Sequence, residues 1–294
     1  MTTSVLVERP SVARAVSGGV LATVLVGVSV PVTGLLAHYP VLSGQAIRYG
    51  IGALALYAVL VRGGRPLPRP SWRDLLGISG MVGPGMLGFN AAVLTAQRYA
   101  EPGFIAAMLG GAPLFLALIV PLLQRRRPAL VVLLGATGVV LGVVILSGGG
   151  SWHGPGLLLS VLTLVGEVLF TVSGMGVTER LGVVETCVWA CMVAAVVGAV
   201  LSSALDGAAA WPMPTATDVV ALLVLGILVT AVAFCGWYTC VSALGADRAG
   251  VLIGLMPVSG LVTSVLLGAQ SLTAVGILGT ALVAVGCAIG LRRR

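Results

Sequence analysis

The sequence predicts an all-α membrane protein of ten transmembrane helices, arranged as two inverted five-helix repeats with both termini cytoplasmic. Three observations predict it: an apolar composition, one-sided placement of arginine, and self-similarity at a spacing of 144 residues. Hydrophobic residues make up 58% of the 294 and charged residues 9%, against roughly 25% charged in a soluble domain. No water-soluble surface can be built from that composition. With the N-terminus inside, fourteen of the sixteen arginines fall on the cytoplasmic side, which is the positive-inside pattern. Arg98 alone falls outside, and Arg48 lies within a span.

Each apolar run is long enough to cross about 30 Å of hydrocarbon at ~1.5 Å per residue. Span one (15–37) follows Arg9 and Arg14; it is too long for a signal-peptide core and lacks a cleavage site. His38 follows in an outer loop and reads as solvated. Span two (43–61) carries Arg48 and leads to the inner loop of Arg62, Arg65, Arg69 and Arg73. Ser71 to Asp74 has capping-box spacing at the start of span three (74–96), which Gly83-Pro84-Gly85 interrupts. Arg98 and Glu101 bracket the next outer loop as a surface pair or gate.

Span four (102–123) carries Pro113 and ends before Arg125 to Arg127. Span five (129–146) leads to an outer linker containing His153, read as solvated, and to span six (155–177) with Glu167 at its centre. Arg180 stands close enough to Glu185 to pair with it. Span seven (185–205) holds Trp189, and Thr217-Asp218 opens span eight (217–244). Asp247-Arg248 opens span nine (249–268), and span ten (272–291) ends at Arg292 to Arg294. The division is a cytoplasmic tail (1–14), a first repeat (15–146), an outer linker (147–154), a second repeat (155–291) and a basic tail (292–294). No room remains for a soluble catalytic domain, so any site lies inside the bundle. The net charge of +7 is orientation charge that favours anionic lipid, not a nucleic-acid footprint. All five cysteines fall in spans without a histidine or carboxylate pattern for a metal, and no cofactor motif occurs.

Shifting the chain by 144 residues aligns spans four and five with nine and ten: Gly110 meets Gly254, Pro113 meets Pro257, Gly135 meets Gly279 and Gly142 meets Gly286. Five spans is an odd number, so the copies cross the membrane in opposite directions, as in many secondary transporters. Pro84, Pro113 and Pro257 read as helix breaks, each proline removing a backbone hydrogen bond in mid-helix. Gly110 and Gly254 read as close-packing positions.

Ala96-Gln97-Arg98-Tyr99-Ala100, then Ala106 to Pro113 and Gly135 to Leu146, resembles the fourth and fifth helices of an EamA-type half in the drug/metabolite transporter superfamily. Ala243-Leu244 through Pro257 to Gly286 resembles the same motif in the second half, and Gln45-Ala46-Ile47-Arg48-Tyr49 resembles that family's second-helix signature. The chain departs from the pattern at Gly268-Ala269-Gln270, where no acidic-basic pair follows span nine. The stretch around Glu167 is similar to the first helix of the small multidrug resistance family, whose membrane glutamate couples protons to export; the resemblance implies that role for Glu167.

A charged group at mid-membrane costs about 2.5–3.5 kcal/mol on insertion scales, so Glu167 must face a cavity or a partner. It reads either as a proton-coupling or substrate-binding group, or as a structural acid bonded to a neighbouring helix. Arg48 reads as a structural or gating residue, as a carboxylate ligand, or as a snorkelling side chain. Asn90, Gln97 and Tyr99 late in span three, Trp237 and Tyr238 in span eight, and Trp189 offer either a small-molecule pocket or an interfacial aromatic belt. Gly77-Ile78-Ser79-Gly80 matches the nucleophile motif of rhomboid-type intramembrane proteases, but both histidines are expected at the opposite membrane face from Ser79. The reading is a non-enzymatic, multi-pass transporter of the cytoplasmic membrane, monomeric or homodimeric. It moves a small metabolite by alternating access, as an exporter of amino acids or related compounds, with protons as the candidate coupling ion. The alternative is a multidrug exporter of cationic compounds.

Overall fold

A computed structural model describes residues 11–36, 38–148, 150–266 and 271–292. Arg9, Arg293, Arg294 and Gly268 to Gln270, all used above, lie outside the described residues. Those residues form helices and no strand beyond one isolated bridge between Ala100 and Trp152. We number the helices α1 (Val12–Gly34), α2 (Val41–Arg62), α3 (Trp72–Ala96), α4 (102–123), α5 (Leu130–Ser147), α6 (Gly156–Leu181), α7 (Val183–Asp206), α8 (Ala216–Leu244), α9 (246–266) and α10 (Ala274–Gly290). Among the described residues nine stretches are long and apolar enough to cross a membrane; the shorter α10 has 17 residues. Leucine and valine side chains stand exposed along most helices, such as Leu54, Leu158, Val200 and Leu266. In water they would be a liability; in lipid they are the solvated surface.

The helices begin where capping chemistry allows. Ser11 accepts from the Arg14 N–H at the start of α1, and Ser71 with Asp74 forms a reciprocal capping box on α3. A second capping box opens α8, between Thr215 and Asp218. The cap is therefore Thr215 rather than Thr217, because Asp218 stands three residues beyond it and closes the box.

Two kinds of irregularity recur in both halves. In α3 the segment Gly83–Gly88 winds as a π-helix, and in α8 the segment Leu225–Val232 does the same. In α4, Pro102–Leu109 stops and Ala112–Leu123 restarts after Gly110-Gly111. In α9, the 3₁₀ turn Gly250–Gly254 separates Ala246–Ala249 from Leu255–Leu266. Pro113 and Pro257 sit in the first turn of the restarted helix, not in mid-helix as the sequence suggests. There a missing N–H costs nothing, because those groups have no intrahelical acceptor.

The most extensive helix pairs are α5 with α10, α2 with α7, α1 with α8, α1 with α9, and α3 with α6. The first is fixed by glycine. A Cβ on Gly142 would fall 2.8 Å from the Gly279 carbonyl oxygen, and one on Gly279 would fall 2.9 Å from the Gly142 oxygen. Gly135 and Gly286 meet in the same reciprocal manner, each Cβ position 2.7 Å from the other's carbonyl oxygen. The 144-residue shift carries one pair of contacts onto the other. Gly18 of α1 and Gly236 of α8 touch in a similar backbone-to-backbone approach.

Candidate functional site

Ionisable groups inside a membrane are expensive and normally paired, so accounting for them locates the site. Four buried carboxylates lie at helix ends and each has a basic partner. Asp74 accepts from Arg180, Glu185 from Arg65, Asp247 from Arg126, and Asp218 lies 3.2 Å from His38 Nε2. One sequence expectation changes here: Glu185 pairs with Arg65 and not with Arg180; His38, its side chain 64% exposed, is solvated as expected and also stands beside Asp218. Arg98 and Glu101 do not pair with each other either; Glu101 accepts from the Ser151 backbone and hydroxyl.

Two ionisable groups remain within the spans with no ionic partner among the described residues, Glu167 and Arg48. Both are half-buried. Leu158, Leu162, Val165 and Leu169 form the exposed stripe of α6. At about 100° per residue Glu167 lies roughly half a turn away from it. On α2 the exposed residues Leu54, Tyr57 and Val61 lie away from Arg48, while Val41 and Val59, also exposed, share its side; what turns Arg48 inward is its bond to buried Thr230 of α8. The partial exposure of Glu167 is therefore toward the inside of the bundle, and the Arg48 guanidinium is turned toward α8.

Arg48 is held from two directions. Its Nε donates to Thr230 Oγ1 at 2.9 Å, and its Nη1 reaches Gln45 at 3.4 Å. Thr230 in turn donates to the Leu225 carbonyl five residues back, inside the π segment of α8. The neighbouring Tyr49 hydroxyl accepts from Asn90 Nδ2 at 3.2 Å, and the same amide donates to the Met86 carbonyl in the π segment of α3. Arg48 and Tyr49 thus connect α2 to both π segments, which supply carbonyls that regular α-helix would keep for itself.

Around Glu167 the structure gathers aromatic rings. Trp237 donates through Nε1 to Thr171 Oγ1 at 3.2 Å, and the Tyr238 hydroxyl donates to the Phe170 carbonyl. Phe170 stacks in tilted fashion on Phe234 and Tyr238, with centroids 4.9 and 5.2 Å apart. Thr171 and Phe170 lie one turn from Glu167 on α6, so this cluster borders the carboxyl. Trp237 and Tyr238 are themselves buried between α6 and α8.

The remaining sequence candidates lie elsewhere. Trp189 donates to the Pro68 carbonyl and fastens the loop between α2 and α3. Gln97 caps the end of α3, and Tyr99 beyond it meets His153 edge-on, centroids 5.8 Å apart. Tyr99, past the end of the helix, does not continue the helical face of Asn90. The glycines of Gly77-Ile78-Ser79-Gly80 face Ser173 of α6, and Ser79 is exposed. Gly77 and Gly80 of that motif are thus helix-packing positions.

The fold and its doubled features prompt comparison with known proteins. The EamA-like transporter family matches the chain twice, over residues 13–148 and 154–292. The chain belongs to the EamA-like transporter family. An uncharacterized transporter of Archaeoglobus fulgidus is 23% identical over 249 residues, covering 85% of this chain and 88% of its own. The uncharacterized transporter YetK of Bacillus subtilis is 23% identical over 251 residues, 83% of this chain and 76% of its own. A solved structure described only as the crystal structure of a protein shares the fold, with a TM-score of 0.81 at 21% identity over 94% of this chain and 97% of that one. This EamA-like transporter is accordingly a multi-pass membrane protein of the drug/metabolite transporter superfamily.

Some functional features were missed in the sequence. Thr230, which holds Arg48, carries no motif of its own, and Tyr49 closes the second-helix signature without being singled out there. A stronger signal was present: Pro68, Pro70, Ser71 and Asp74 recur at the 144-residue shift as Pro212, Pro214, Thr215 and Asp218. That match extends the repeat beyond α4 and α5 and marks both capped helix starts.

Proposed function

We propose that this transporter exports amino acids or related zwitterions across the cytoplasmic membrane by alternating access, in exchange for protons. In this reading ten spans form two inverted five-helix repeats, residues 15–146 and 155–291, with both termini and the arginine-rich loops cytoplasmic. The reading rests on one observation above all: among the described residues neither Glu167, turned away from the lipid-facing stripe of α6, nor Arg48, bonded to Thr230 of α8, has an ionic partner. An uncompensated cation and an uncompensated acid in one membrane interior suit a ligand carrying both charges. Arg48 takes the carboxylate, for which its planar fork of donors is shaped. Glu167 takes the amine when ionised and a proton when the ligand has left, so one group serves both cargoes in turn. The paired breaks in α4 and α9 and the paired π segments supply hinge positions in both halves, as exchange between two mirror conformations requires.

A second reading has its own support. Phe170, Phe234, Trp237 and Tyr238 near Glu167 also suit an amphipathic cation, which would need Glu167 but not Arg48. Everted vesicles separate the two. Uptake of a panel of radiolabelled amino acids and of cationic dyes is followed under an imposed pH gradient in wild type, Glu167→Gln and Arg48→Gln. Amino-acid uptake lost in both variants is the expected result. Dye uptake that survives Arg48→Gln and fails in Glu167→Gln makes the protein a multidrug exporter. Gradient-driven uptake undiminished in Glu167→Gln removes that residue from coupling.

A further inference from the structure

The two capping boxes match each other atom by atom. Asp74 Oδ2 accepts from the Ser71 N–H at 2.9 Å and from its hydroxyl at 2.6 Å. Asp218 Oδ2 accepts from the Thr215 N–H at 2.9 Å and from its hydroxyl at 2.8 Å. In both, Oδ1 turns outward from its helix toward a basic side chain at the end of a helix from the other half. For Asp74 that is Arg180 near the end of α6, at 2.6 Å; for Asp218 it is His38 just past α1, at 3.2 Å. The α6–α3 and α1–α8 pairs are themselves exchanged by the repeat. The two boxes open helices that start at opposite ends of the bundle.

We infer that Arg180–Asp74 and His38–Asp218 are matched latches, one at each end, and that only the His38 latch is set by protonation. The asymmetry lies in the bases. Arginine is charged at every physiological pH, whereas histidine changes charge between pH 5 and 8. A protonated imidazole gives a charge-assisted bond, roughly twice as strong as the neutral one. Acid therefore tightens the His38 latch and alkali loosens it, while the Arg180 latch does not respond.

No other basic group answers for Asp218. Its buried Oδ1 accepts no hydrogen bond among the described residues, and the His38 ring nitrogen 3.2 Å away is the basic group that stands against it. Tyr39 is buried beside it and donates to the Pro212 carbonyl; burial and the Asp218 carboxylate both push its hydroxyl up, so it stays protonated. On the α2 side the first cation is Arg48, committed to Thr230. On α7, Asp206 accepts from Ser202, and at the loops beyond, Glu101 and His153 are engaged with Ser151 and Tyr99. Under the orientation proposed above, the His38 end is the outer one, so external acid would hold the exit closed.

Hydrogen exchange of the full-length protein in lipid nanodiscs tests this between pH 5.5 and 8, normalised for intrinsic rates. Segment 212–222 reports the His38 latch, and segment 68–78 is its internal control. Wild type is expected to lose protection several-fold in 212–222 as pH rises and to stay flat in 68–78. His38→Arg should make 212–222 flat and protected, and His38→Gln should make it flat and less protected. A flat 212–222 in wild type, or a pH step that persists in His38→Gln, overturns the inference. The measurement needs no transport, so its failure is distinct from failure of the proposed export.

Discussion

Glu167 and Trp237 belong to one cluster and make opposite demands on the fold. Trp237 satisfies its indole N–H at Thr171, so it is a stabilising residue as well as a wall. Glu167 has no hydrogen-bond or ionic partner among the described residues and sits halfway along α6. Holding a carboxyl there carries a penalty of about 2.5–3.5 kcal/mol on insertion scales, with no local bond to offset it. A group kept for function and not for stability has a signature. Glu167→Leu is expected to raise the melting temperature in detergent, by up to that penalty in free energy, while abolishing gradient-driven transport. A lowered melting temperature would mean that the carboxyl is a structural hydrogen-bonding group. Arg48 differs, because its bonds to Thr230 and Gln45 give it a structural share as well.

The helices themselves were legible because apolar length and arginine placement are properties of consecutive residues. Spans two to nine fall within a few residues of the observed helices, and Glu167, Arg48 and Asn90 stand out as polar groups in apolar runs. Partner choice was not legible. Asp74 meets Arg180 across 106 residues, and nothing local in the chain distinguishes that pairing from Arg180 with Glu185. The π segments were hidden for a related reason: Gly83-Pro84-Gly85 announces a break in α3, but Leu225–Val232 contains no proline and one glycine. At this scale the glycine contacts of α5 and α10 are the sharpest feature. Backbone faces the missing Cβ at Gly142 and at its repeat counterpart Gly286, and backbone cannot rotate aside. Gly142→Ala and Gly286→Ala should each destabilise by about 1–3 kcal/mol, as overpacking does, and by similar amounts because the repeat exchanges their surroundings. Gly260→Ala, whose Cβ would sit 3.6 Å from the nearest atom, should change little. Thermal unfolding of the three variants in detergent checks this; unequal losses at 142 and 286 would break the equivalence.

The five most extensive helix pairs all join one half of the chain to the other. Within a half, α4 and α5 pack on each other, but the larger surfaces of α1, α2, α3 and α5 are covered by α8, α7, α6 and α10. The Arg48 layer draws on α2, α3 and α8, and the Glu167 cluster on α6 and α8. The Arg48 layer spans both halves, the Glu167 cluster lies within the second, and the main buried core is shared between the two. In a membrane no hydrophobic force drives helices together, so association rests on close packing and a few polar bonds. Here the glycine crossings of α5 with α10 and the latches of α3 with α6 supply both, and all of them cross between halves. Two fragments cut in the linker, residues 1–150 and 151–294, should therefore find each other without the covalent connection. Co-expressed, they are expected to co-purify and to restore transport. Expressed singly, each should be degraded or accumulate only as aggregate, because about half of its packing surface lacks a partner. A fragment that purifies alone as a stable, monodisperse five-helix unit would show that each half folds on its own terms, and that the cross-half contacts are docking surfaces rather than the core.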